Sequence, residues 1–363
     1  MRRSTSLYGI YVIVIIIVTA FFSFKIMKGE FQSIGFWYLK KYELSEPPNI
    51  IEGEKSRECP CKKVGLEYPN CGMIPAKESK NPLISNELIP GHEQIYDGAW
   101  ICIPPTIVRI NSHGFRDYEY SIEKSNNTFR IIVLGDSHTF GEGVELNDTY
   151  SKKLEKMLND RSKDVSYEVL NFGVGGYNML EKVEFFKEKG LKFNPNLIII
   201  QFNSDDIVNW TELSKLHEEV NREYIQEHYL EDRSKLADEV LRQLEVKTWQ
   251  LYDDVLEKRT FDEVFSIVEK PLTDLANITD HINVSVLLIY GEPCLSASPQ
   301  QETSLRDLCK KFNWYILNFH FDEYNEDELI IHPKDCHPNP LMHELIAKEI
   351  YKKLFESRLL HSK

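Results

Sequence analysis

From about Arg130 onward, short and continuous apolar runs alternate with stretches of helical period. The runs cover residues 130–134, 167–170, 197–202, 284–290 and 314–319. A strand without polar alternation needs cover on both faces, and parallel strands need long crossovers between them. The pattern therefore predicts an α/β fold whose parallel five-stranded sheet lies buried between helices. Helices are expected at 146–159, 178–189, 301–312 and 340–354. The last opens with Asn339 as N-cap and Pro340 at the first helical position. About eighty residues separate the third and fourth runs, far more than a crossover requires. Within them, Trp210 to Asp280 is charged and helical in pattern. It reads either as a solvated excursion on the flank or as a lid over the carboxyl ends of the strands.

The N-terminal part obeys a different rule. Arg2 and Arg3 precede an uncharged apolar run over 7–24, and Lys25 and Lys28 follow. As a helix the run spans roughly 27 Å, enough for a bilayer core. Residues 1–27 are thus expected to form a cytoplasmic tip and a transmembrane helix, with the body outside. A cleaved secretory signal is the rival reading. The run ends in Phe21-Phe22-Ser23-Phe24, which lacks a small-residue cleavage site. Residues 28–108 keep no lasting period and read as a cysteine-containing stalk and extension; the main body spans 109–358, with its helical insert at about 210–280.

Seven cysteines in an exported chain point to disulfides, with one thiol left over. Cys294 and Cys309 are one candidate pair. Zinc on Cys59, Cys61 and Cys71 fits less well, because only Pro60 separates the first two. The formal charge of -14 repels phosphate backbones, which argues against nucleic acid as partner. The 42% hydrophobic fraction supports an ordinary core.

The chemistry concentrates at two distant places. The first apolar run enters Gly135-Asp136-Ser137-His138-Thr139-Phe140-Gly141 directly. A serine there stands at a strand's carboxyl end beside a helix start, where backbone N–H groups can hold a developing oxyanion. Alone, Gly-Asp-Ser is more often a turn in which Asp and Ser bond the local backbone. Near the tail, Asp335-Cys336-His337 offers a base and a carboxylate to orient it, just before the last helix. His332, Cys336, His337 and His343 can also be read as metal ligands, without the tight spacing such sites show. His138 reads as a wall of the site rather than a second base.

These residues resemble the SGNH/GDSL hydrolases. The segment 135–141 looks like the family's first block, Asn171-Phe172-Gly173-Val174-Gly175-Gly176 its second, and 335–339 its last. The lead-in Asn111-Ser112-His113-Gly114-Phe115-Arg116-Asp117 is similar to one in an exported branch. The resemblance implies a three-layer α/β/α sandwich of flavodoxin-like topology and a serine esterase without cofactor. It implies Ser137 as nucleophile, His337 as base, Asp335 as its orienting partner, and an oxyanion hole from the N–H groups of Ser137 and Gly176. The third block departs from the pattern. In Gln201-Phe202-Asn203-Ser204-Asp205-Asp206, the position of the family's oxyanion asparagine falls on Asp205, and Asn203 is the nearest substitute. Three functions follow as expectations: a membrane-anchored esterase removing acyl groups from a carbohydrate or envelope ester, an O-acyltransferase acting on polysaccharide, or a catalytically weak glycan-binding protein.

Overall fold

The computed structural model describes residues 71–72, 76–96, 106–208, 210–227, 238–292, 295–332 and 335–360. The apolar run over 7–24 lies outside them, and among the described residues no helix is long and apolar enough to cross a membrane. Five short strands come first: β1 (Cys71–Gly72), β2 (Ala76–Glu78), β3 (Asn86–Leu88), β4 (Glu93–Tyr96) and β5 (Thr106–Arg109). β2 pairs with β3, and β4 joins β1 to β5. The sequence shows no period here because strands of three or four residues are too short to display one.

The central sheet has the order β10-β9-β8-β6-β7, from β6 (Thr128–Gly135), β7 (Ser166–Gly173), β8 (Leu197–Gln201), β9 (Ser285–Tyr290) and β10 (Tyr315–Asn318). All four pairings are parallel. Each strand falls on a predicted apolar run, and Ile131, Ile132, Val133 and Leu134 are fully buried. Side chains alternate across the sheet. Phe129, Ile131 and Val133 face a cluster with Leu154 and Leu158 of helix Tyr150–Arg161 and with Ile346, Ile350 and Leu354 of helix Pro340–Glu356.

Among the described residues the helices are, in chain order, α1 (Ser137–Phe140), α2 (Tyr150–Arg161), α3 (Met179–Phe185), α4 (Trp210–Glu227), α5 (Asp238–Glu257), α6 (Phe261–His281), α7 (Pro299–Lys311), α8 (Glu326–Leu329) and α9 (Pro340–Glu356). α3 packs on β6 and on α6, which forms the other helical layer. α2 starts later than the apolar period suggests because the Thr149 side chain accepts from Lys152 N and caps it there. α3 stops at Phe185 and passes into a π-turn over Phe186–Gly190. The chain divides into two compact units. Leu213–Lys258 belongs to one, where His217 Nδ1 lies 3.1 Å from Thr248 Oγ1. Pro47–Glu212 with Arg259–Lys363 makes the other, which holds the whole central sheet.

Cys309 is buried and free, so it does not pair with Cys294, which lies outside the described residues. Burial pushes its thiol up to about 12. Cys336 is disulfide-bonded.

The register of β6 on β7 sets Gly135 opposite Gly173, so the loops leaving these strands start level. A Cβ on Gly173 would stand 2.2 Å from Phe140 N in α1. Gly173→Ala is therefore expected to push α1 off β7 and cost about 1–3 kcal/mol or more. Urea unfolding of the variant checks this; an unshifted midpoint would show that α1 moves freely.

Candidate active site

β6 carries the chain to Asp136, whose carboxylate accepts from His138 N at 2.9 Å and caps α1. Ser137 is the first residue of that helix. Gly141 ends it at φ 83, a left-handed conformation that strains any residue with a Cβ. Its N–H returns to Ser137 O. The buried guanidinium of Arg116 gathers the next carbonyls, donating to Phe140 O at 3.1 Å, Gly141 O at 2.5 Å and Val144 O at 2.6 Å. Asp117 beside it accepts from Asn171 N at 2.6 Å and pairs with Lys152 at 2.7 Å. Burial pushes its carboxyl up to about 6 against the pull of Lys152. The lead-in thus fastens the nucleophile loop and the start of the second block together.

On the other side, His337 lies in β12 (Asp335–Pro338), paired antiparallel with β11 (Ile330–His332). Asn339 holds this hairpin against α9. Its side chain donates to Glu328 O and Ile330 O and accepts from Leu341 N and Met342 N. α1 packs on β12, so the segments that carry Ser137 and His337, distant in the chain, lie side by side. The rings of His138 and His337 have centroids 5.2 Å apart. His337 Nε2 is 3.5 Å from Glu142 Oε2. The Asp335 backbone pairs with His332, and its side chain lies outside the described residues.

Gly175 closes the site from the second block. A Cβ there would be 3.9 Å from Ser137 Cβ and 3.7 Å from Glu142 Oε2. Gly176 follows, exposed, at φ 79. Asn203 is fully buried at the tip of β8, but its amide Nδ2 donates to Asp136 Oδ2 at 2.9 Å. Asp205 is raised to about 6 by burial and by the charge of Asp136, with Lys182 and His138 pulling the other way.

Beneath these groups lie charges that sequence reasoning did not find. Lys182 of α3 sits within 3.0 Å of Asp136 and 2.8 Å of Asp206, and also donates to Gln201 O. Burial works against the Lys182 cation, but the two carboxylates outweigh it and hold it charged. Burial pushes Asp206 up to about 7 against the pull of Lys182. Beside this cluster, His138 Nδ1 pairs with Glu292 at 2.6 Å; both are buried. Gln201 Nε2 donates to the other Glu292 oxygen, Thr139 Oγ1 donates to Gln201 Oε1, and Tyr150 OH lies 2.6 Å from Thr139 Oγ1. Burial opposes the His138 cation, but Glu292 raises its pKa to about 9.

His343 is separate. Its Nδ1 accepts from Tyr150 N at 3.2 Å, and burial drives its pKa well down, so it is a neutral structural ring. Among the described residues no three His, Cys, Asp or Glu side chains gather as for a metal ion. Lys182 and Glu292 left no motif to read, and Gln201 entered only as the first residue of the segment set against the family's third block. Arg116 and Asp117 did stand in a segment with a family likeness, which was the available signal.

The sequence matches no family model and no curated protein. The structure is similar to that of esterase EstA from Pseudoalteromonas sp., at 16% identity and a TM-score of 0.42, covering 64% of this chain and 98% of that one. It is similar to a lipase/acylhydrolase from Enterococcus faecalis at 13% identity and a TM-score of 0.39, covering 63% and 96%. It is also similar to an acetylxylan esterase from Geobacillus stearothermophilus at 12% identity and a TM-score of 0.42, covering 62% and 94%.

Two outcomes are expected from the buried charges. Lys182→Met leaves Asp136 and Asp206 without their cation and should cost about 3–5 kcal/mol in urea unfolding; a wild-type midpoint would contradict this. The His138–Glu292 pair raises a folded-state pKa, so its stabilisation is full below pH 6.5 and lost as pH rises through about 9. The stability gap between wild type and His138→Gln should therefore narrow over that interval. A gap constant with pH would mean that the ring is uncharged.

Proposed function

We propose that the protein is a serine ester hydrolase of the SGNH/GDSL type. What supports this reading is that α1, which opens at Ser137 after β6, packs against β12, the strand that carries His337, with the rings of His138 and His337 5.2 Å apart. In the proposed reaction Ser137 Oγ attacks the ester carbonyl while His337 takes its proton. The C–O bond to the alcohol breaks, and His337 returns the proton to the departing oxygen. Water then enters by the same route and releases the acid from the acyl-serine. Asp335 orients His337. The N–H groups of Ser137 and of the Gly175–Gly176 turn receive the oxyanion.

The substrate we infer is an acylated carbohydrate or envelope ester, released as free acid. The apolar run over 7–24 supports a single-pass membrane anchor with the catalytic body outside the cytoplasm. One observation favours a second reading. One N–H of the Asn203 amide is taken by Asp136 and Asp205 is a carboxylate, which weakens the donor set of the hole relative to the family pattern. A glycan-binding protein with little turnover would tolerate that weakness.

A fluorophosphonate probe decides between them. The wild type should be labelled, Ser137→Ala should not, and His337→Ala should slow ester hydrolysis by roughly 10⁴-fold. Glycan binding without labelling would establish the binding protein instead. Product analysis with an acetylated oligosaccharide completes the test: free acetate for a hydrolase, a newly acetylated sugar for a transferase.

A further inference from the structure

Glu142 is a carboxylate in the site for which the proposed reaction has no use. Its backbone is rigid. Its N–H donates to Ser137 O at 3.1 Å, and Arg116 clamps the carbonyls on either side, at Gly141 and Val144. The side chain is 12% exposed and divided in its contacts. Oε1 accepts from the hydroxyl of Tyr96, at the end of β4. Oε2 faces the catalytic groups: His337 Nε2 is 3.5 Å away, and a Gly175 Cβ would be 3.7 Å away. A separation of 3.5 Å is longer than a charge-assisted hydrogen bond, so this oxygen keeps capacity for another donor.

The position assigns a side of the substrate. In a serine–histidine reaction, the imidazole nitrogen that serves the serine also delivers the proton to the leaving oxygen. With His337 Nε2 serving the serine as proposed, a carboxylate oxygen beside that nitrogen borders the alcohol half of the ester. There it accepts a hydrogen bond from a hydroxyl on the carbon next to the ester carbon. It repels a phosphate or carboxylate at the same place. It also has nothing to gain from an alkyl or ether group, which would bury the charge without a donor.

We propose that Glu142, oriented by Tyr96, selects esters whose alcohol is a neutral polyol carrying a free hydroxyl adjacent to the acylated one. This deepens the esterase reading and rests on it. It narrows the substrate to partly acylated sugars or other vicinal diols and sets simple alkyl esters apart. Tyr96 belongs to the segment before the central sheet, so the preference would depend on that extension as well as on the nucleophile loop.

The test uses the full-length protein and two acetates of nearly equal size, 2-hydroxyethyl acetate and 2-methoxyethyl acetate. They differ in whether the group next to the ester can donate a hydrogen bond. Wild-type kcat/KM should favour the hydroxyl ester at least tenfold, because a site built for a donor rejects its etherified analogue. Glu142→Gln should bring the ratio close to one, and Tyr96→Phe should give an intermediate ratio. A change in general-base strength would move both substrates together and leave the ratio intact. A wild-type ratio near one overturns the proposal and needs no variant to fold. So does a ratio that survives Glu142→Gln. In either case, labelling of Ser137 by the fluorophosphonate shows that the esterase reading stands. Absence of both labelling and hydrolysis in the wild type removes the esterase reading, and this proposal with it.

Discussion

A buried ammonium holds the carboxyl end of the central sheet together. Lys182 contacts Asp136, which caps α1, and Asp206, which closes the turn after β8. An unpaired charge at that depth would be severely disfavoured. The cation therefore forces three elements, the tip of β6, the tip of β8 and α3, into one arrangement. Asn203 is drawn into the same cluster through Asp136. The placement of Ser137, next to Asp136 in the chain, thus depends on a fully buried side chain of α3.

A second buried chain runs from His138 through Glu292, Gln201 and Thr139 to Tyr150. It links α1 to the ends of β8 and β9 and to the start of α2. Every member has a partner, so the polar groups specify a geometry without leaving an uncompensated charge. The two networks meet in α1: Asp136 caps it, His138 and Thr139 belong to it, and Ser137 lies between them. Arg116 completes the enclosure from the lead-in. α1 is thus tied by buried polar groups to β6, β8, β9 and the lead-in.

The layered fold was legible in the sequence because its signals are local. All five apolar runs became the strands of the central sheet, since a strand buried on both faces has to be apolar throughout. The long helix after Asn339 was readable from its cap, its proline and its apolar face. Boundaries were less legible where a single cap decided them, as Thr149 does for α2. The short strands from Cys71 to Arg109 were not legible at all, because their pairing is with other segments rather than within a period.

The sequence by itself determined the candidate chemistry, for Ser137 after an apolar strand and His337 before a capped helix are recognisable one segment at a time. Tertiary structure alone decided what surrounds them. Lys182, Glu292 and Glu142 carry no local signal in the sequence that sets them apart from other charged residues. Asn203, read as the nearest substitute for an oxyanion donor, gives one amide N–H to Asp136. The physical reason is common to all four. The value of a charge or an amide is set by its partners and its burial. Those partners stand tens of residues away along the chain and meet only when the sheet brings the strand ends level.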